Sequence, residues 1–271
     1  MTGGWAMQSN GLLDALPLWG LFIAIVLVVL VSVECGYRLG KYRRSRHEQE
    51  KQAPVGTMVG ATLGLLAFIL AFTFGLAASR FDARRQVLLD EANAIGTTYL
   101  RAGILPERTE EIRVLLRNYV DTRLEAVRSD NIEEGIRRSE SIQHQLWGNA
   151  EAVGQKNPNS IVVGLFVQSL NEVIDLHAKR VQAAVRSRIP GAIWVGLFGV
   201  AAFSLAAMGY HAGLVGTGRS LAVLAVALTF SVVIELIADL DRPQQGVLRV
   251  SQRVLLDLQQ SMRADVPARP E

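Results

Sequence analysis

Four long apolar runs, with a charged, helix-patterned stretch between the second and third, constrain this chain more than any other feature. A helix needs roughly 20 apolar residues to cross the hydrocarbon core of a bilayer. Lipid offers no partner to backbone N–H and C=O groups, so such runs must be helices. Leu16 to Gly36, Val55 to Ala78, Ile193 to Tyr210 and Leu221 to Ala238 all qualify. One such run could be the core helix of a water-soluble protein; four with charged flanks point to a membrane. The expected fold is an all-α integral membrane protein. It has four transmembrane helices and a helical extramembrane bundle extending from the second and third spans.

The chain then divides into a tail (1–15), a first span (16–36), a basic loop (37–54), a second span (55–78) and an extramembrane domain (79–189). A third span (191–210), a fourth (221–238) and a C-terminal segment (239–271) complete it. The stretch before the first span carries no Lys or Arg and no small-residue cleavage site follows, so this run reads as a span and not a signal peptide. The loop after it holds Arg38, Lys41, Arg43, Arg44, Arg46 and Lys51, and Arg219 lies between spans three and four. Positive charge in short loops marks the cytoplasmic side. Both termini and the 79–189 domain are therefore expected outside, which in a bacterial inner membrane means the periplasm. Arg80, Arg84, Arg85, Lys179, Arg180, Arg186 and Arg188 point the other way, but they flank a long segment, where the rule is weak.

A net charge of +3, with Arg spread among Asp and Glu, gives no nucleic-acid footprint. Cys35 is the single cysteine, so no disulfide forms within one chain. Gly213 to Ser220 has P-loop spacing, with Arg in place of Lys, but it lies between two spans with no preceding strand. No zinc, thiol or serine-hydrolase pattern is present, so neither an enzyme, a metal nor a cofactor is expected.

Within 79–189 the apolar residues recur at helical spacing. Phe81, Leu88, Ala92, Ile95 and Tyr99 continue the second span as one long helix up to Gly103 and Pro106. A second helix from about Glu107 carries Ile112, Leu115, Leu116, Tyr119 and Leu124 on one face. A turn at 129–131 precedes a third helix. The loop Gly154 to Ser160 precedes a fourth helix, to about Arg188, that feeds the third span through Pro190. A turn at Pro243 and a short amphipathic helix are expected near the C-terminus.

Three groups of residues are candidates for function. In the second span Gly56, Gly60, Gly64, Ala67, Ala71 and Gly75 follow one another at steps of three or four, forming a small-residue face. Such a face lets another helix backbone approach closely. It suits plain helix packing or a pore-lining helix, and in either case a homo-oligomer. Two polar clusters flank the roots of the extramembrane domain: Asp82, Arg84, Glu91 and Asn93 on one, Asn171, Asp175, His177 and Arg180 on the other. If the two root helices pair antiparallel, these clusters meet as an ion-pair network or an ion site, with Asp239, Asp241 and Arg242 on the same side. Glu235 lies within or at the end of the fourth span, where a charge is costly and acids often mark ion paths, and Asp239 is one turn on. Glu34 and Arg38, also one turn apart, are expected to pair.

Long stretches of this chain resemble a known family. Leu66 to Pro106, Ser169 to Arg180 (SLNEVIDLHAKR) and Asp239 to Gln252 (DLDRPQQGVLRVSQ) look like the signature of bacterial membrane proteins grouped as domain of unknown function 4239, also labelled bestrophin-like. The resemblance implies a multi-pass bacterial membrane protein. By the bestrophin analogy it implies a homo-oligomeric ion channel with four spans per subunit. The alternative is an envelope sensor or scaffold whose helical domain binds an envelope protein while the spans serve only as its anchor in the lipid bilayer.

Overall fold

The computed structural model describes residues 17–46, 52–129, 131–183, 188–217, 221–242 and 246–265. The expected N-terminal tail, the turn residues Asp130 and Pro243, the loop cations Lys51, Arg186 and Arg219, and the extreme C-terminus lie outside the described residues. Eight helices are found among them: α1 (Leu18–Ser45), α2 (Gln52–Ala102), α3 (Thr109–Arg128), α4 (Ile132–Lys156), α5 (Ile161–Val181), α6 (Gly191–Val215), α7 (Leu221–Asp241) and α8 (Arg253–Ala264). Five of them, α1, α2, α5, α6 and α7, are long and apolar enough to cross a membrane.

The chain forms two compact units. The first, the span unit, comprises residues 1–81 and 188–249 and so contains the four apolar runs. Its core is built from Leu21, Ile25 and Val29 of α1, Leu66, Leu70 and Ala77 of α2, Leu197, Ala201 and Leu205 of α6, and Ile234 and Ile237 of α7. α1 does not stop at Gly36 but continues through Arg43 and Arg44 to Ser45, so the first half of the expected 37–54 loop is helical. Straight-chain Lys and Arg are good helix formers, and the cations sit at the C-terminal end, where the helix dipole favours them.

The closest backbone approach in this unit joins α1 to α6. A Cβ on Gly36 would collide with the Ala206 carbonyl, and one on Gly40 with the Tyr210 carbonyl. In return, Cβ atoms on Gly209 and Gly213 would strike the carbonyls of Val33 and Tyr37. Each helix thus presents two glycines four residues apart to the backbone of the other, which is how van der Waals packing holds helices together in lipid.

The second unit, the helical unit, comprises residues 82–187 and 250–271. The second half of α2 packs with α3, α4, α5 and α8 around Leu88, Ile95, Tyr99, Leu116, Leu146, Phe166, Leu170, Val173 and Leu255. α2 is one helix of 51 residues, ending just before Gly103. Asn131 caps α4 by accepting the Glu134 N–H at 3.3 Å, and Ser160 caps α5 by accepting the Val163 N–H at 3.4 Å; side-chain acceptors here satisfy amides that the first helical turn leaves open. The amphipathic α8 buries Leu255 and Met262, and the Tyr99 hydroxyl donates to the Met262 carbonyl at 3.3 Å. Sequence spacing suggested a helix running to about Arg188 and on through Pro190. Instead α5 reaches Val181, with one π turn after it at 182–183, and 184–187 lie outside the described residues; residues 188–190 are not helical, and Pro190 is the N-cap of a separate helix, α6. Proline has no N–H to give and pushes the residue before it toward extended backbone, so it starts a helix more readily than it continues one.

Candidate functional site

The helical unit holds a charged centre shut away from solvent. Glu91 on α2 is 0% exposed. Its carboxylate takes bonds from Arg180 of α5 and from Arg123 of α3, the latter at 3.5 Å through a terminal guanidinium nitrogen, with Nε 3.4 Å from the other oxygen. The Tyr119 hydroxyl, one turn before Arg123, donates to Glu91 Oε1 at 3.1 Å. Gln143 of α4 donates to the Tyr119 oxygen at 3.3 Å, and His177 Nδ1 lies 3.1 Å from it. Arg180 reaches further, donating to Gln252 at the start of α8 at 3.1 Å. One carboxylate therefore ties α2, α3, α4, α5 and the approach to α8 into a single network.

The protonation states follow from these contacts. Burial alone would raise the Glu91 carboxyl, but Arg123 and Arg180 outweigh it and hold Glu91 below the usual carboxylate range. Burial, aided by the charge of Arg123, lowers His177 to about 4, so its imidazole is neutral near pH 7. Burial and the nearby Glu91 charge push the Tyr119 phenol up. A tyrosine has one O–H to donate. Since Tyr119 gives it to Glu91, the His177 contact requires Nδ1–H as donor, which makes Nε2 the bare nitrogen. That Nε2 is buried with no hydrogen-bond partner among the described residues. Two guanidiniums on one carboxylate leave this cluster with one positive charge in excess. A buried pair of this kind is a poor source of net stability but is costly to break.

The two polar clusters expected at the domain roots meet only in part. Glu91 comes together with His177 and Arg180, whereas Asp82, Asn93, Asn171 and Asp175 are exposed. Arg84 is buried in the same unit. Helical phase separates them: Arg84, Leu88, Glu91 and Ile95 share the inward face of α2, while Asp82 and Asn93 lie on the outer side. Tyr119, counted only as a core-face residue, and Arg123, Gln143 and Gln252 were not foreseen. The legible signal was Arg123 one turn after Tyr119 on the apolar face of α3, a charge where the pattern demands burial. Among the described residues no group of three His, Cys, Asp or Glu is placed to hold a metal ion.

Asp239, Asp241 and Arg242 lie in the span unit and are buried. The Asp239 carboxylate accepts the N–H of Val247 at 3.0 Å and of Leu248 at 3.1 Å. Gly246 beside them has φ 140°, and a Cβ there would collide with Asp239 Oδ1, so this turn needs glycine. Asp241 accepts the Ile189 N–H at 2.9 Å, just ahead of α6. Both acids therefore serve as backbone clamps at the end of α7. Glu235, one turn earlier, is half-buried and does not share their work; its Oε2 is buried with no hydrogen-bond partner among the described residues. The expected Glu34–Arg38 pair forms at 2.8 Å.

The small-residue face of α2 is open. Val59, Leu66, Leu70, Thr73 and Ala77 form the face of α2 that is buried within the span unit. Gly60, Gly64, Ala67, Ala71 and Gly75 lie on a different face and are exposed, and a Cβ added at Gly60, Gly64 or Gly75 would meet nothing within 4 Å. Of the four glycines in the row, Gly56, at its start, has a neighbour among the described residues: the His211 ring, which a Cβ would approach to 3.1 Å. Phe68 and Phe72 stand exposed beside the open row. Packing within the described chain thus leaves the ladder unused, and the close helix contact is made by α1 and α6.

Residues 23–255 match the bestrophin-like domain. The chain belongs to the bestrophin-like family. Its fold is that of crystal structures of single-substitution variants of a bacterial bestrophin homolog from Klebsiella pneumoniae. One is 14% identical, with a TM-score of 0.64 over 90% of this chain and 97% of that one. Another is 15% identical, with a TM-score of 0.66 over 91% and 98%. A crystal structure described as a membrane protein matches at 14% identity and a TM-score of 0.66, over 91% of this chain and 97% of that one. No curated protein matches the chain. The bestrophin-like chain is thus a multi-pass membrane protein, all helical in its described residues.

Proposed function

We propose that this bestrophin-like chain is one subunit of a homo-oligomeric ion channel. The open small-residue face of α2 carries the reading, with the family as its context. A long apolar helix that keeps a row of Gly and Ala free of its own chain is suited to meeting copies of itself around an axis. Four spans per subunit, 16–36, 55–78, 191–210 and 221–238, cross the bilayer. α5 stays outside it: Val163, Phe166, Leu170 and Val173 are buried in the helical unit, and Asn171, Glu172, Asp175, Lys179 and Arg180 crowd its last three turns, where charge in lipid would be expensive. Conduction follows the α2 axis, and Glu235 near the end of α7 is a second candidate for contact with ions.

The test is ion flux from liposomes holding the purified full chain, alongside a subunit count by native mass spectrometry. Flux above empty vesicles from a discrete oligomer supports the reading. No flux across several ions and pH values removes it and leaves the helical unit as an anchored module for an envelope partner.

A further inference from the structure

The span unit carries a groove of about 460 Å³ between α1, α6 and α7. Leu30, Val33, Leu224 and Ala227 line its apolar part, and Glu34, Tyr37 and Arg38 form one end. All three helices are long and apolar enough to span, so in a membrane the groove faces acyl chains and not water. From Leu30 to Arg38 the α1 wall rises about 12 Å, at 1.5 Å per residue, close to the ~15 Å of one leaflet's hydrocarbon. The stripe does not end at Arg38. Lys41 lies one turn on along the same face and is exposed, and Arg43 and Arg44 follow within the last turn of α1.

We infer that this groove binds one anionic phospholipid, with an acyl chain along Leu30, Val33 and Leu224 and its phosphate on Arg38 and Lys41. Charge decides the class of occupant. The Glu34 carboxylate is matched by Arg38, whose bond uses Nε–H at 2.8 Å, one of five donors in a guanidinium. That bond sets the guanidinium beside Glu34, at the mouth of the groove. Lys41 then adds a positive charge with no acid beside it in the α1 sequence from Leu39 to Arg46. A zwitterionic head group would bring its own cation against this cluster; an anionic one brings only the phosphate. An apolar channel one leaflet long with cations at its polar end matches a phospholipid in both parts, whereas a helix from another protein would cover the apolar part and gain nothing from the cations. The inference depends on the membrane setting and not on conduction.

Native mass spectrometry of the detergent-purified full chain tests it, with phosphatidylglycerol, phosphatidylcholine of the same acyl chains, and free glycerol phosphate as probes. One phosphatidylglycerol per chain is expected to persist where phosphatidylcholine is stripped. Combined Arg38→Gln and Lys41→Gln should weaken that binding about ten-fold or more. Arg38→Lys should largely keep it, and Leu224→Trp should block the groove from an exposed position without removing a charge. Equal retention of the two lipids, undiminished binding in both the charge and groove variants, or equal competition by glycerol phosphate alone would each overturn the assignment. So would a change of subunit count in Leu224→Trp with lipid binding intact, which would give the groove to a second copy.

Discussion

Two glycine-bearing faces in the span unit look alike in sequence and behave differently in the fold. Gly36 and Gly40 on α1 meet Gly209 and Gly213 on α6 so closely that no Cβ fits between the backbones. Gly60, Gly64 and Gly75 on α2 touch nothing within 4 Å of a would-be Cβ. The first face is used in holding one chain together; the second is left over. A ladder of small residues therefore says that a helix can be approached closely, and the packing of every other helix decides whether the approach comes from its own chain.

Substitutions separate the two faces. Gly40→Leu drives a side chain into the Tyr210 backbone, where nothing flexible can give way. It is expected to destabilise the folded chain by about 3 kcal/mol or more, at the upper end of overpacking, seen as loss of the monodisperse peak and a lower midpoint on thermal challenge in detergent. The same change at Gly64 should leave single-chain stability within about 0.5 kcal/mol while altering the subunit count. If Gly64→Leu unfolds the chain as Gly40→Leu does, the open face is in use within the subunit.

The helical unit gives a second contrast, between a buried charge centre and the surface pairs around it. Glu91→Gln strands Arg123 and Arg180 in the core and is expected to cost about 3–5 kcal/mol, whereas Glu134→Gln, which breaks the exposed bond to Arg137, should leave the thermal midpoint unchanged, because water screens a surface pair. The pH dependence has a definite sign. His177 is lowered to about 4 in the fold from about 6.5 unfolded, so its contribution is complete above 6.5 and drains away as pH falls toward 4. Glu91, held low, adds its own loss below the unfolded carboxylate value near 4.3. His177 alone should lower stability by up to about 1.4 kcal/mol per pH unit between 6.5 and 4, and His177→Gln should flatten that part of the slope. A thermal midpoint unchanged between pH 7 and 5 in the wild type would remove His177 from this role.

The Asp239 clamp is a smaller effect. Asp239→Asn keeps the shape but can accept only one of the two N–H bonds, since Val247 and Leu248 donate to different carboxylate oxygens and the amide NH2 would face the other N–H. A loss of about 1.5–3 kcal/mol is expected, with earlier proteolysis around 246–248. Sidedness is a test of a different kind. The basic residues after the first span predict that a cysteine placed at exposed Asn93, in a Cys35→Ser background, reacts with an impermeant thiol reagent from the periplasmic side. Labelling only after permeabilisation would turn the chain over.

Much of this architecture was legible because lipid and helical periodicity both act locally. The absence of Gly and Pro between Gly75 and Gly96 foretold the continuous α2, and the apolar stripe of α3 foretold the burial of Ile112, Leu116, Tyr119 and Leu124. Arg123 as a partner of Glu91 and Gln143 as a partner of Tyr119 were not legible, because their pairing depends on how four helices turn about one another. The α1–α6 contact was missed for a different reason. Gly36, Gly40, Gly209 and Gly213 have the visible four-residue spacing, but α2 has a longer row of small residues, and only the packed structure tells a used face from a free one. Pro190 marks the limit of periodicity, which runs smoothly through residues that the backbone does not.

The most direct test of the account is ion flux through the Gly64→Leu variant, compared with wild type at equal amounts of folded protein in liposomes. The account predicts that wild-type oligomers conduct and that the variant, folded and inserted, loses most of that flux. Wild-type conduction carried undiminished by a folded Gly64→Leu variant would contradict it, because the open face of α2 would then have no part in the path.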